Sequence, residues 1–385
     1  EDEEEDEDGG DGDGDDLEDE DEADGTGARP AALRGPDDWQ GLLKWAAGRL
    51  GLRLGAYWSL KGVVRERLQE RVAALGCADL QAYQRLLEAG EDELQVLQTS
   101  VLQIDISRFF RTGTLWQFLL ASVLPQLQEA SAASGRPCRC WVMGSGLGEE
   151  VYSLRACWEL GFAGLASGER PPPLEIVVSE ISKDGVAYGQ AGEYTVSGGN
   201  LQKSRQRAWA AWDSSGAETF REVPKAWLDS MFAPTANGRM RVAKRLRKGI
   251  SWRCESWDAP LEDDSWLEDV GGPFDLILGR HGPFFYPSVS QQKRLLAFAA
   301  SALRSEGFLL VGRDESKGFA KKVAPEAPEL ECFRRPPCVC GSRLPGLHFS
   351  KSTKKPKAAP QPPPGSCPVC FPVMGNPGRM VWRKA

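Results

Sequence analysis

An α/β protein, with a mostly parallel doubly wound sheet preceded by an all-helical region, is predicted by three features of the 385-residue sequence. Helical stripes dominate up to about residue 130. Short apolar runs alternating with helical patterns take over after residue 137. The first such run, Cys140 to Met143, passes through a glycine turn into a helix, the opening unit of a doubly wound sheet.

Taken in order, Glu1 to Arg34 is low complexity: 18 of the first 24 residues are Asp or Glu, a block that cannot bury itself and stays solvated. Residues 1–35 therefore read as a disordered acidic leader, with the further option that it covers a basic surface. A helix follows from Pro36, with Asp37 or Asp38 as N-cap and Trp39, Leu42, Leu43, Ala46 and Leu50 on one stripe. A second, from about Ser59 to Leu75, turns Val63, Val64, Leu68, Val72 and Leu75 inward and Arg65, Arg67 and Arg71 outward. Shorter patterns at Asp79–Ala89, Glu91–Leu97 and Thr114–Leu127 complete a helical domain, 36–130.

Beyond a Ser/Ala/Gly/Pro linker at 131–137, strands are predicted at Cys140–Met143, Leu174–Ser179, Ile250–Cys254, Phe274–Leu278 and Phe308–Gly312, with a helix from Ser290 to Leu303 between the last two. The sheet domain spans 131–320. Residues 190–249, glycine-rich with a basic run from Arg239 to Lys248, form an insertion in it, and 321–385 reads as a Pro/Cys-rich tail without a large core.

Composition narrows the class. With 41% hydrophobic and 26% charged residues the chain is neither fibrous nor wholly disordered. The net charge of −8 hides a basic body, since without the leader's acids 47 Lys and Arg face 37 Asp and Glu. No apolar run is long enough to span a bilayer and no secretory signal is visible, so a cytoplasmic monomer is expected, although the absence of an initial Met leaves room for a preceding targeting segment. Nucleic-acid binding is disfavoured because the basic residues are not interleaved with aromatics. Cys77, Cys138, Cys140, Cys157 and Cys254 read as buried thiols of a reducing compartment. The tail's Cys338-Val339-Cys340 and Cys367-Pro368-Val369-Cys370 offer a second possibility, four thiolates for zinc, set against free thiols.

Three constellations carry chemistry. Gly144-Ser145-Gly146-Leu147-Gly148-Glu149-Glu150 follows the first strand and opens a helix, where glycines admit a ligand close to the backbone. A dinucleotide fingerprint needs glycine at relative position six, which here is Glu149. Acids at a helix start repel pyrophosphate and suit a cationic nucleoside such as S-adenosylmethionine. Val178-Ser179-Glu180 places a carboxylate at a strand's carboxyl end, where it can accept ribose hydroxyls. Asp105 to Arg111 joins two apolar rings to a guanidinium able to hold a carboxylate bidentately.

From about Asp38 to Ser316 the chain resembles the CheR-type chemoreceptor glutamate methyltransferases. The likeness lies in Arg65–Leu75, Phe109-Phe110-Arg111, the GSGLGEEVYS run from Gly144 to Ser153, the tract Val223–Trp252, Phe274-Asp275-Leu276-Ile277 with Arg280, and Leu303–Ser316 ending in GRDES. The resemblance implies an N-terminal helical domain, a Rossmann-like methyltransferase domain with a small inserted β-subdomain, and S-adenosylmethionine between the domains. It further implies that Asp105, Ser107 and Arg111 approach from the helical side, and that Gly144, Gly146, Gly148 and Glu149 form the cofactor loop with Glu180 at the ribose. Ser256, Trp257, His281 and Gly282 would border the adenine and methionine portions. Arg65, Arg67 and Arg71 would attract an acidic protein substrate.

Departures from the family pattern fall at the site: Asp105 for Asn, Ser107 for Thr, Glu180 for Asp, His281 and Gly282 within an Arg-Asn-Val run, and Phe285-Tyr286 in reversed order. The implied reaction is attack by a glutamate carboxylate on the sulfonium methyl. That carboxylate is already ionised at neutral pH, with a pKa of about 4.3, so no general base is needed. Arg111 would steer it beside an aromatic wall from Phe285 or Tyr286. The alternative is a non-catalytic cofactor-binding or interaction module on the same fold.

Overall fold

In the computed structural model the described residues are 33, 35, 37–102, 107–162, 170–195, 218–280, 282–312, 315, 319–332 and 380–384. They divide into two compact units. One holds residues up to Leu94 together with Tyr286–Gln291, and the other holds Gln95–Phe285 and Gln292 onward. The helical region expected over 36–130 is thus shared between the two. Residues 1–32 of the acidic leader, the four tail cysteines, Asp105 and His281 lie outside the described residues, while Leu33, read as part of the leader, is buried.

The first unit is built from α1 (Trp39–Leu50), α2 (Lys61–Ala74), α3 (Leu80–Ala89) and the start of α4 (Glu91–Val96). Asp38 caps α1 by accepting from the Gly41 amide at 2.9 Å, and Asp79 caps α3 by accepting from Ala82 at 2.7 Å, each satisfying a donor the helix cannot. Leu42, Leu43, Ala46, Val64, Leu68, Tyr83 and Leu87 are buried, but Leu75, expected inward, is exposed. Arg71 is engaged within the unit. Its Nε donates to Glu93 at 2.8 Å, and the Tyr83 hydroxyl donates to the same carboxylate at 2.8 Å. Arg65 is exposed and Arg67 half-buried.

In the second unit α5 (Gly113–Phe118) widens into π geometry at Leu119–Val123 and continues as α6 (Leu124–Ser134). The linker expected at 131–137 is therefore helix as far as Ser134. The sheet comprises β1 (Cys138–Met143), β2 (Leu174–Glu180), β6 (Ile250–Cys254), β7 (Phe274–Gly279), β8 (Leu303–Val311), β9 (Leu330–Cys332) and β10 (Val381–Lys384). Their order is β6-β2-β1-β7-β8-β10-β9. β1 pairs in parallel with β2 on one side and β7 on the other, so the winding reverses between β1 and β7. β10 runs antiparallel to both neighbours. A dinucleotide-binding sheet ends on a parallel sixth strand. A last strand turned back between the fifth and sixth gives the Rossmann-like methyltransferase sheet.

Alternate side chains of the central strands feed two cores. Cys140, Val142, Ile176, Val178, Leu276 and Leu278 face α5–α6 and α7 (Glu149–Phe162), and Trp141, Met143, Val177, Ile277 and Leu309 face the helix Val289–Ala302. Burial raises the pKa of the Cys138, Cys140 and Cys157 thiols, whereas Cys254 is exposed, contrary to expectation, because β6 is an edge strand. β3 (Glu193–Thr195), β4 (Phe232–Pro234) and β5 (Arg239–Val242) form a separate antiparallel sheet in the order β3-β5-β4, within the span read as an insertion. The tail also differs from expectation. Val323, Leu330, Met380, Val381 and Trp382 are buried, and the chain returns at β10 to join the sheet.

Candidate functional site

The carboxyl ends of β1 and β7 flank the point where the winding reverses, the place where open α/β sheets bind ligands. β1 leads into Gly144, Gly146 and Gly148, all in the left-handed region with φ of 77°, 55° and 94°. A Cβ on Gly148 would lie 3.0 Å from the Trp252 ring, 3.1 Å from the Gly189 Cα and 3.2 Å from the Tyr194 hydroxyl, so glycine is required there for packing as well as conformation. α7 starts at the buried Glu149, and its first turn carries a second acid, Glu150.

Glu180, at the end of β2, is buried and is tied to that loop. One carboxylate oxygen accepts from the Ser145 amide at 2.9 Å and the Gly146 amide at 2.8 Å, and the other accepts from the Ser182 amide at 3.0 Å. α8 (Lys183–Ala191) starts beside it, capped by Ser182. Loop N–H groups that would greet a phosphate in a dinucleotide fold are here turned onto a protein carboxylate. The sequence predicts Glu180 at a ribose; the structure adds that the same carboxylate sets the loop's shape.

β6 ends next to β2, and Glu255 fixes that corner. It accepts from Ser179 Oγ at 2.8 Å, Trp266 Nε1 at 3.1 Å and Arg253 Nε at 2.8 Å, while Ser179 Oγ also accepts from Trp141 Nε1 at 3.0 Å. The half-buried Ser256 and Trp257 follow. The Trp257 ring lies along the glycine loop and the end of β7, 3.6 Å from a Cβ position on Gly144 and 3.5 Å from one on Gly282. Gly144, Trp257 and Gly282, distant in sequence, therefore share one wall.

The turn Arg108–Gly113 comes to the same region. Phe110 and Thr112 take φ of 55° and 66°, left-handed values costly for side chains with a Cβ. The Phe110 amide donates to Ser153 Oγ at 2.9 Å, which in turn donates to the Glu149 carbonyl at 2.7 Å. Buried Arg280, leaving β7, donates to Glu150 at 2.7 Å, to the Arg111 carbonyl at 3.1 Å and to Thr112 Oγ1 at 3.3 Å. Trp116 Nε1 donates to the Arg111 carbonyl at 3.0 Å. The backbone of Arg111 is thus anchored beside the first turn of α7. Ser107, half-buried, precedes the turn.

Phe285 closes a turn by donating its amide to the Gly282 carbonyl at 3.0 Å. Tyr286 falls in the first unit, where its ring lies 5.1 Å from that of Tyr57, and burial followed by the Tyr286 charge raises the Tyr57 pKa. Two residues of structural weight escape a reading of the sequence in these roles, Glu255 and Arg280. The one signal each has is its position just after a predicted strand. Among the described residues no group of His, Cys, Asp and Glu is arranged to hold a metal, and no helix is long and apolar enough to cross a membrane.

No protein-family model matches the chain. A chemotaxis protein methyltransferase of Vibrio parahaemolyticus serotype O3:K6 (strain RIMD 2210633) is 25% identical over 280 residues, covering 71% of this chain and 86% of that protein. The chemotaxis protein methyltransferase of Escherichia coli (strain K12) is 24% identical over 263 residues, 66% of this chain and 77% of that protein. An uncharacterized 104.1 kDa protein of Rhodobacter capsulatus is 25% identical over 256 residues, but the chain spans only 23% of its length. Among solved structures, the glycopeptide N-methyltransferase MtfA complexed with S-adenosylmethionine is 12% identical, covers 49% of this chain and 54% of that one, and has a TM-score of 0.23, too slight a likeness to carry an argument. The sheet order and the glycine loop define a Rossmann-like methyltransferase fold. Within that class the chain is similar to the CheR-type chemotaxis methyltransferases over most of its own length.

Proposed function

We propose that this chain is an S-adenosylmethionine-dependent methyltransferase that esterifies a carboxylate, most simply a glutamate side chain, on a protein. The observation that carries this reading is the closure of the loop amides of Ser145 and Gly146 onto Glu180. With those donors occupied and Glu149 and Glu150 opening α7, the loop disfavours a pyrophosphate and tolerates a cation.

Bound there, S-adenosylmethionine supplies an electrophilic methyl group. Gly144, Gly146 and Gly148 admit it close to the backbone, Glu180 is assigned to the ribose hydroxyls, and Trp257, Ser256 and Gly282 border its adenine and methionine parts. Ser107 and Arg111 are assigned to the cofactor from the side of the Arg108–Gly113 turn, with Arg111 also orienting an incoming carboxylate. Asp105 and His281 are assigned to the cofactor on the family resemblance alone. Phe285 is assigned to screening the reacting groups from water. An acceptor ionised at neutral pH needs no base from the protein.

The test is incubation with methyl-labelled cofactor and protein extract, followed by mild base. Label released as methanol is expected. Label that resists base contradicts an ester, and cofactor binding without any transfer supports the non-catalytic alternative.

A further inference from the structure

The turn that carries Arg111 is held from two sides, and only one belongs to the sheet. On the other side stands the inserted segment between β3 and β6. Glu222, buried within that segment, spans the turn with its two carboxylate oxygens: one accepts from Arg108 Nε at 2.6 Å and the other from the Gly113 amide at 3.0 Å. A single side chain therefore staples both ends of a six-residue turn whose middle contains two strained backbone positions, Phe110 and Thr112.

Packing repeats the grip. The Phe109 amide donates to the Thr219 carbonyl at 3.1 Å. Its ring is enclosed by Phe220, Phe232 and Tyr194 at centroid distances of 5.6, 4.9 and 4.8 Å, and Phe110 meets Trp227 at 5.8 Å. All five contacts come from β3 or the segment that follows it. Strained turns persist only when their surroundings over-determine them, and here the insertion supplies one side of that hold while Ser153, Trp116 and Arg280 supply the other.

We infer that Glu222 is a positioning residue, which lets the inserted subdomain set the placement of Arg111. This rests on the methyltransferase reading for its catalytic consequence, but not for the clamp itself. Glu222→Gln keeps the size but has one acceptor oxygen, so either Arg108 or Gly113 faces an NH2 group instead. Glu222→Asp keeps the charge but is one methylene too short to reach both.

The full chain should be compared with both variants and with Arg111→Ala. The clamp predicts that amide exchange at Phe110–Gly113 accelerates at least about tenfold in Glu222→Gln while exchange in β1 and β7 is unchanged. That readout needs no activity. It further predicts a fall in methyl transfer of about 100-fold, S-adenosylhomocysteine affinity within about threefold of the parent, and partial rescue by neither variant alone. Because Glu222 acts through Arg111, adding Glu222→Gln to Arg111→Ala should cost nothing more. Unchanged exchange in the turn overturns the clamp whether or not the protein is an enzyme. Faster exchange with additive losses in the double variant overturns the positioning role. No cofactor binding in the parent, with faster exchange in the variant, sinks the methyltransferase reading and leaves the clamp standing.

Discussion

Replacing Glu180 by Gln perturbs the loop on which the proposed chemistry depends while changing neither side-chain size nor shape. Both carboxylate oxygens are used, one by the amides of Ser145 and Gly146 and the other by that of Ser182. Gln has a single acceptor oxygen. Turned toward the loop, it sets its NH2 group against the Ser182 amide; turned the other way, it abandons both loop donors. The better arrangement loses one bond and reduces two charge-assisted bonds to neutral ones. Bonds to charged groups contribute about 1.5–3 kcal/mol against about 0.5–1.5 for neutral pairs, so the variant should lose about 3.5–6 kcal/mol of stability. Urea unfolding of parent and variant measures this directly. Calorimetry should show S-adenosylhomocysteine binding weakened at least about tenfold, equivalent to 1.4 kcal/mol. A variant within about 0.5 kcal/mol of the parent, binding the ligand equally well, would refute the view that this carboxylate builds the loop.

Other consequences follow from the same geometry. Gly148→Ala meets a strained φ and three close neighbours and should cost about 2–4 kcal/mol, whereas Gly144→Ala, with its nearest neighbour at 3.6 Å, should cost about 1–2 from conformation alone. Comparing the two in thermal melts separates packing from strain, and equal losses would argue against the packing term. Burial, and then the charge of Glu149, raises the Tyr188 pKa to about 12, and burial raises Tyr152 and Tyr194 in the same direction. The neutral phenol is favoured in the folded state, so stability should hold up to about pH 10 and fall as pH rises toward 12. Urea midpoints across that range test the sign, and a flat profile contradicts it. Arg111→Ala should lower methyl transfer at least about 100-fold with ligand affinity within about threefold, and normal transfer by this variant would show its role to be misassigned.

The central sheet was legible because its strands are short apolar runs closed by glycine or acid. Ile250–Cys254 matches the sequence reading, and β1, β2, β7 and β8 differ from it mainly at their ends. β10 was hidden: Val381–Lys384 is four residues long and follows a Pro-rich stretch, and its place between β8 and β9 depends on long-range pairing that no local pattern reveals. The linker failed for a related reason. Ser131 is buried and donates to the Arg136 carbonyl, so small polar residues that read as a loop continue a packed helix. At the candidate site the glycine loop and Glu180 were visible as types at a spacing. The tethers that shape them were not, because Glu222, Glu255 and Arg280 work through partners up to 169 residues away, and an isolated charged residue looks the same whether it is solvated or stapling a turn.

Titration calorimetry of the full chain against S-adenosylmethionine and S-adenosylhomocysteine, with a nicotinamide dinucleotide as the comparison, tests the account most directly. Saturable heat with both sulfur compounds and none with the dinucleotide is predicted. Binding of the dinucleotide, or silence toward all three, would contradict a loop shaped by Glu180 to receive a cationic nucleoside.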